Sequence, residues 1–240
     1  MAIETTDFVI GLFSIIIVAF NTFTGLTIAS KYFKYKRKIF LLMGFAWLLL
    51  ACPWWPSSTS FILALITGNG LPVQPYIFIG NICMPLITVL LATAYAELKY
   101  QKKVKNVAII MIILTIPFEI YLVYFIIADV SQLGILHGIV DIEYVGFLRY
   151  YMIGQVILGV TIGILIAFDN IRSDDPELRW KGIFLLAAFI AFPLGALTDA
   201  ILPLTVIIVI IFRSVMVLSS VLFYFAFLLP NWMKRLLIRE

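Results

Sequence analysis

The sequence predicts an all-α integral membrane protein, a bundle of seven transmembrane helices with its N-terminus outside and its C-terminus in the cytoplasm. Its composition, its seven apolar runs and the placement of its charges support this prediction. The chain has 240 residues, of which 63% are hydrophobic and 12% are charged. A soluble domain is about half apolar and about a quarter charged. Most of this chain therefore needs lipid as its solvent.

The apolar residues form seven runs, each long enough for a helix through about 30 Å of hydrocarbon. The runs are Phe8–Ser30, Ile39–Ile66, Tyr76–Leu98, Val107–Ala128, Val145–Phe168, Gly182–Leu202 and Thr205–Leu229. Strands of a membrane barrel would be about ten residues long with alternating polarity, and the sequence has no such pattern. We interpret residues 1–240 as one seven-helix transmembrane domain without a soluble domain. The N-terminal segment has no basic residue, which predicts that the first run is retained rather than cleaved as a signal peptide.

Basic residues occupy alternate connections between the runs and the C-terminal tail. They are Lys31, Lys34, Lys36, Arg37 and Lys38, then Lys99, Lys102, Lys103 and Lys105, then Arg172, Arg179 and Lys181, and finally Lys234, Arg235 and Arg239. The opposite connections carry only acidic charges, at Glu4, Asp7, Asp129, Asp141 and Glu143. Because basic loops stay in the cytoplasm, this asymmetry sets the orientation of a multi-pass cell-membrane protein. It also explains the net charge of +4 without a nucleic-acid partner.

The second run is too long for a straight membrane helix. A helix from Ile39 to Ile66 would extend about 42 Å, and the run contains Pro53-Trp54-Trp55-Pro56. Since proline lacks an amide donor, we expect a break or strong kink between Cys52 and Ser57. Either Ser57–Thr67 then lies on or dips into the outer leaflet, or the whole run is one kinked and tilted helix.

The prolines of the later runs are expected at most to kink their helices. They are Pro85, Pro117 and Pro193. With only the second run interrupted outright, the pattern argues against a transporter built from inverted repeats with paired broken helices.

Two connections have features of their own. Asp175 is a suitable N-cap, and Pro176 suits the first position of the sixth helix, which would begin in the cytoplasm. Between the fourth and fifth helices, residues 130–144 form the longest outer loop and contain His137. This loop is either a lid over the outer mouth of the bundle or a solvated connector.

Four ionisable residues lie within the runs, where charges are costly and face protein or water. At 1.5 Å per residue, Arg149 and Asp199 lie about 6–8 Å below the outer surface, and Glu119 and Arg213 roughly 12–14 Å below it. Matching depth and opposite sign predict two pairs, Asp199 with Arg149 and Glu119 with Arg213.

Two interpretations of these charges remain open. They can form a polar ligand-binding pocket open to the outside, together with Tyr150 and Gln155 from the fifth run. Alternatively, they are two buried ion pairs that only hold helices together, because buried pairs alone do not imply function.

Enzymatic and cofactor chemistry lacks a residue set. The sequence contains no P-loop, HExxH or GxSxG motif, and the seventh run has no lysine for a retinal Schiff base. One histidine and two separated cysteines make a zinc site improbable. Cys52 and Cys83 either form a disulfide or are two small buried residues. We therefore predict no catalytic residue, no metal, no cofactor and no enzyme activity.

The last third of the chain resembles a known class of membrane module. It has Asp175-Pro176-Glu177-Leu178-Arg179 before the sixth helix, Arg213 in the seventh, and Phe223-Tyr224-Phe225-Ala226-Phe227-Leu228-Leu229-Pro230 before a basic tail. This resembles the seven-helix sensor modules of archaea and bacteria that precede some histidine kinases. The resemblance implies sensing of an external or membrane-borne signal. Because the sequence ends at Glu240 without a kinase, the signal is expected to pass to a separate cytoplasmic or membrane partner.

Three functions follow as hypotheses. The first is a receptor-like or sensor-like protein that binds a small molecule or lipid in the outer half. The second is a small transporter or channel, which needs a polar path through both leaflets. The third is a structural subunit, which needs a flat protein-binding face and no inward cavity. Because the four charges are confined to the outer half, they favour a pocket with a closed bottom.

The orientation can be tested with reporters. A tag ahead of Ala2 is expected outside the cell and a tag after Glu240 inside, because the basic connections stay in the cytoplasm. Protease protection of the two tags in intact cells measures this. An external C-terminal tag would contradict the seven-helix topology.

Overall fold

A computed structural model describes residues 3–202 and 204–238. This part of the chain forms ten α-helices and one two-stranded sheet. The elements are α1 (Thr5–Tyr35), α2 (Ile39–Leu49), α3 (Trp55–Thr67), α4 (Val73–Asn81), α5 (Met84–Lys99), α6 (Val104–Ala128), β1 (Gly134–His137), β2 (Asp141–Tyr144), α7 (Gly146–Ile171), α8 (Pro176–Ile201), α9 (Val206–Phe227) and α10 (Asn231–Leu237).

Seven helical segments are long and apolar enough to cross a membrane. They are Thr5–Tyr35, Ile39–Thr67, Val73–Lys99, Gln101–Ala128, Gly146–Ile171, Pro176–Asp199 and Val206–Phe227. The predicted number and order of apolar helices are confirmed, and the chain is a multi-pass membrane protein. The N-cap prediction is also confirmed, because the Asp175 carboxylate accepts a hydrogen bond of 2.8 Å from the Glu177 amide.

The bundle has two ends that we name by their residues. The hairpin end holds the start of α1 and the β1–β2 hairpin, and the lysine-rich end holds residues 36–38, residues 101–103 and α10. The hairpin is antiparallel, with Gly134 opposite Tyr144. Its turn lies on α1, because the Asp7 carboxylate accepts a 3.3 Å hydrogen bond from the Ile139 amide.

The long connection between α6 and α7 covers the hairpin end instead of projecting from it. The Tyr76 hydroxyl of α4 donates a hydrogen bond of 2.6 Å to the Val140 carbonyl, and the side chains of Leu133 and Val140 are completely buried. The sequence left two interpretations of this loop open. The structure supports the lid over the bundle rather than the solvated connector.

The second span is interrupted as predicted. Helix α2 ends at Leu49, a 3₁₀ turn spans Cys52–Trp54, and α3 begins at Trp55. Beyond the break, α3 continues beside α1, because the Phe61 ring lies directly over Gly11. The two pieces therefore follow one long, kinked course, and α3 does not lie flat on the bundle surface.

The third span is interrupted too, so the prediction of a single broken helix was wrong. Helix α4 ends at Asn81 and α5 begins at Met84. A proline ring clashes with the carbonyl four residues earlier and donates no hydrogen bond to it. Four residues before Pro85 is Asn81, and four before Pro53 is Leu49, so each helix ends at the carbonyl that its proline leaves unpaired.

The two cysteines next to these breaks are both free. Cys52 is buried and Cys83 is partly buried, and no disulfide joins them. The sequence left open whether Cys52 and Cys83 form a disulfide or are two small buried residues. The second interpretation is therefore correct.

Glycines allow close helix contact within the bundle. A Cβ on Gly44 of α2 would lie 2.6 Å from the Gly25 carbonyl oxygen and 2.7 Å from the Ala29 amide nitrogen of α1. Small residues at helix interfaces let two backbones approach in this way. Helix α7 carries the GxxxG pattern Gly159–Gly163. Gly163 packs against the Phe189 ring of α8, so this pattern also serves packing inside the bundle.

The α1–α2 contact gives a stability prediction. Gly44→Ala should destabilise the protein by about 1–3 kcal/mol, because the methyl group meets backbone atoms that cannot turn aside. Gly154→Ala on α7 is the matched control, since nothing lies within 4 Å of its Cβ position. Thermal unfolding of the purified protein in lipid nanodiscs measures both. Equal unfolding temperatures for the two variants would contradict the close contact.

Candidate functional site

A partly open cavity of about 170 Å³, which we call the inner cavity, lies in the bundle on the hairpin side of its middle. Its walls come from the second, third, fifth, sixth and seventh spans and from β2, and they are mostly apolar. The apolar side chains are Trp47, Leu50, Pro53, Trp54, Met84, Ile87, Leu91, Ile142, Met152, Ile153, Val156, Val160, Phe189, Phe192, Pro193 and Ala196. Ser57, Tyr76, Thr88, Asp141, Tyr144, Gln155, Asp199 and Arg213 supply the polar groups.

Aromatic rings close the cavity toward the lysine-rich end. Trp47 stacks face to face on Phe223, with ring centroids 3.8 Å apart and planes within 9° of each other. Phe189 packs edge-on against both rings, at centroid distances of 5.9 Å from each. Trp47 lies eight residues from the start of α2, so about 12 Å of packed helix separates this layer from the end of the bundle.

A second cavity, which we call the vestibule, lies between β2 and the hairpin ends of α7 and α8. Its volume is about 400 Å³, and His137, Glu143, Arg149, Leu202 and Leu204 belong to its walls alone. Asp141, Ile142, Tyr144, Met152, Ile153 and Asp199 border both cavities. The vestibule is therefore directly next to the inner cavity, on the side of the hairpin end.

A buried ion pair forms the polar end of the inner cavity. The Arg213 Nε and Nη2 atoms donate to the two carboxylate oxygens of Asp199, at 3.0 and 2.9 Å. Arg213 also donates from Nη1 to the Ile10 carbonyl and the Ser14 hydroxyl, both at 2.7 Å. Its side chain is only 3% exposed. The guanidinium group is thus almost fully engaged and joins α1, α8 and α9.

Trp54 adds a fourth element to this cluster. Its indole Nε1 donates a hydrogen bond of 3.0 Å to Asp199 Oδ2. Trp54 lies in the 3₁₀ turn that interrupts the second span. The break therefore carries an aromatic donor to the buried carboxylate, and the Asp199 side chain keeps 11% of its surface exposed, toward the cavities.

The predicted pairing of Asp199 with Arg149 was wrong. Arg149 lies at the rim with 47% of its side chain exposed, and its Nη1 atom is 4.0 Å from Glu143 Oε1. A guanidinium exposed to this extent needs no buried partner. Arg213 begins deeper than Asp199, but a long arginine side chain extends toward the more polar level. The predicted pairing compared only the depths of the Cα atoms and left out the length of the arginine side chain.

The predicted pairing of Glu119 with Arg213 was also wrong. Helix α6 lies at the edge of the bundle, where only Phe118 and Leu122 are buried, and it packs on α4 and α5 rather than on α9. Glu119 borders neither cavity, and its Oε2 atom is buried without a hydrogen-bond partner in the part of the chain described.

The two uncharged residues of the predicted site have opposite placements. Gln155 lines the inner cavity and accepts a hydrogen bond of 2.7 Å from the Thr88 hydroxyl. Tyr150 is 74% exposed and borders neither cavity, so its assignment to the pocket was wrong. Of the six predicted residues, the structure places Asp199, Arg213 and Gln155 on the inner cavity and Arg149 on the vestibule.

Asp141 was not among the predicted site residues, because the acidic residues of the long loop were used only to set the orientation. Instead, β2 carries Asp141 into the wall shared by the two cavities. Burial raises the pKa of this carboxyl, and the nearby charge of Asp199 raises it further. A hydrogen bond from the Ile142 amide lowers this pKa, and the nearby Arg213 and His137 side chains act in the same direction. The available signal was the alternation of acidic and apolar residues in Asp141-Ile142-Glu143-Tyr144, which is typical of a strand.

The described residues contain no group of three or more His, Cys, Asp or Glu side chains arranged to hold a metal ion. No protein-family model, curated protein or solved structure matches this chain. The fold and the cavities define it as a seven-helix multi-pass membrane protein with an aromatic-lined internal cavity.

The buried pair should dominate stability over the exposed arginine. Arg213→Gln should cost about 3–5 kcal/mol, because it leaves the Asp199 charge buried without its partner. Arg149→Gln, the matched control at the rim, should cost at most about 1 kcal/mol. The double variant Asp199→Asn/Arg213→Gln should recover part of the loss. Thermal unfolding in nanodiscs measures all three, and equal losses for both single variants would contradict the assignment.

Proposed function

We propose that this chain is a receptor-like or sensor-like protein of the cell membrane that binds a small apolar or amphipathic molecule in the inner cavity. The vestibule admits the ligand from outside, and the signal passes to a separate partner. The observation that carries the proposal is a cavity with mostly apolar walls, polar groups at its hairpin end and a closed aromatic layer at its other end. Ligand sites in proteins combine apolar walls with a few placed polar groups in this way.

The charge distribution supports the orientation that this function needs. Basic residues are concentrated at the lysine-rich end, which the positive-inside rule assigns to the cytoplasm. The hairpin end and the vestibule then face the outside. This arrangement agrees with the resemblance to seven-helix sensor modules, which implies an external or membrane-borne signal.

Helix α9 provides a route from the cavity to the cytoplasm. It carries Arg213 at the polar end, Phe223 in the closing layer, and leads into α10. Lys234 of α10 donates a hydrogen bond of 2.6 Å to Glu177 at the start of α8. A ligand that fits one packing of the Trp47–Phe223 stack better than another would shift the population of α9 positions. The partner binds at the lysine-rich end and responds to the change in the position of α9.

A small transporter is the second candidate, and the two interrupted spans favour it. Broken helices around a central site are typical of transporters. Here, however, the interrupted spans are consecutive, whereas repeat-built transporters break helices at corresponding positions of two halves. The closed aromatic layer also argues against a path through both leaflets. A structural subunit would need no inward cavity, so the cavity itself argues against that third function.

Occupancy of the inner cavity can be measured by quenching of tryptophan fluorescence. Bromobenzene has a heavy atom and a size close to the cavity, and Trp47 and Trp54 lie in its wall. The protein in lipid nanodiscs should show a saturable quenching component in addition to the linear component from partition into lipid. Gly159→Leu should weaken the saturable component about tenfold or more, because its side chain fills the cavity.

Gly154→Leu on the same helix is the matched control. Gly159 borders the cavity and has Leu91 at 3.5 Å from its Cβ position, whereas Gly154 has nothing within 4 Å. The control should keep the saturable quenching. A wild-type protein without saturable quenching, or equal quenching in both leucine variants, would refute ligand binding in this cavity.

A further inference from the structure

We propose that the natural ligand is a cationic amine whose apolar body is about one aromatic ring in size, with its ammonium group held at Asp141 and its ring in the inner cavity. This inference rests on the proposed function and specifies the chemistry of the ligand. It follows from the volume of the cavity, the nature of its walls and the balance of charge at its polar end.

The volume limits the apolar body. An engineered cavity of about 150 Å³ with apolar walls binds benzene, and the inner cavity here holds about 170 Å³. One ring or a short branched chain therefore fits, whereas a lipid acyl chain would extend beyond it. The vestibule, at about 400 Å³, leaves space for a hydrated polar group next to Asp141.

The walls favour a flat ring near a positive charge. Trp47, Trp54, Phe189 and Phe192 all border the cavity. Phe192 packs edge-on against Trp54 at a centroid distance of 5.8 Å and lies 5.6 Å from Trp47. Aromatic side chains pack well against a ring and attract a cation within about 6 Å of a ring face.

The polar end carries an excess of negative charge. Both carboxylate oxygens of Asp199 accept from Arg213, which is itself held by Ile10 and Ser14. Within residues 3–202 and 204–238, Asp141 forms no ion pair. An ammonium group would neutralise Asp141, whereas a carboxylate or phosphate would face two acids with the only guanidinium of the cavity already engaged.

The basic side chains at the rim lie within ion-pair distance of Glu143 and not of Asp141. Both Arg149 and His137 approach Glu143, at 4.0 and 3.5 Å. The charge of Arg149 is thus balanced by Glu143 at the rim of the vestibule, and Arg149 does not pair with Asp141. The excess negative charge is therefore confined to the wall between the two cavities, next to the aromatic residues.

Protonation of Asp141 should control the preference for an amine. The charged and titratable groups around it are Asp199 on α8, Arg213 on α9, His137 on β1, Tyr76 on α4 and Tyr144 on β2. Burial holds the pKa of Asp141 above its ordinary value. The carboxylate is charged above that pKa and binds the ammonium group. As the pH falls through it, Asp141 becomes neutral and the preference is lost.

Three probes with the same phenyl body test the inference: 2-phenylethylamine, 2-phenylethanol and 3-phenylpropanoate. Their dissociation constants are measured by displacement of bromobenzene from the protein in zwitterionic nanodiscs at neutral pH. The amine should bind about tenfold or more tightly than the alcohol, because it adds a hydrogen bond to a charged group. The carboxylate should bind more weakly than the alcohol.

Asp141→Asn should lower the affinity for the amine to that for the alcohol and leave the alcohol unchanged, which also shows that the variant is folded. Asp174→Asn, an equivalent change at an exposed site of the lysine-rich end, should retain the preference. The wild-type preference should also disappear in acidic buffer.

The outcomes separate the two proposals. Equal binding of the amine and the alcohol, or an amine preference that survives Asp141→Asn, overturns the amine inference and leaves the receptor function in place. Failure of all three probes together with the absence of saturable bromobenzene quenching overturns both.

Discussion

The buried pair between Asp199 and Arg213 is the interaction on which the rest of this bundle depends. A charge inside a membrane protein is stable only where protein or water replaces its solvation. Arg213 obtains this from a carboxylate, a backbone carbonyl and a hydroxyl on two other helices. The guanidinium therefore defines the relative positions of α1, α8 and α9, and it places Asp199 where it also borders both cavities.

The interrupted helices create the space next to this pair. In both broken spans, the helix stops four residues before a proline, at Leu49 and at Asn81. The break in the second span directs Trp54 toward Asp199, and the neighbouring helices α3 and α4 are joined by a 2.6 Å hydrogen bond between Ser57 and Tyr76. Pro53 and Trp54 at the first break and Met84 at the second line the inner cavity. The breaks thus form part of its wall beside the polar cluster.

The hairpin gives the site its second acidic residue, Asp141, and part of its wall. A connector of this length between two membrane helices could have remained solvated, yet it folds back over the bundle through buried Leu133 and Val140. In doing so it brings Asp141 to the wall of the inner cavity. A surface loop thereby supplies a group of the candidate site, and the ligand specificity that we infer depends on that loop more than on the membrane helices.

The sequence by itself determined the seven apolar helices, their order, the break in the second span and the cap at Asp175. Each of these depends on local properties, namely hydrophobicity over about 20 residues, missing amide donors and short-range hydrogen bonds. Only the tertiary structure decided the partners of the charges. Arg213 pairs with Asp199 because its long side chain extends from a deeper position to the depth of Asp199. Glu119 lies away from both cavities because α6 packs at the edge of the bundle. Proline alone also did not decide where a helix breaks, since α6 and α8 continue through theirs. Which helices are neighbours, and which way a loop folds, depends on contacts between residues far apart in the chain, and no local pattern encodes them.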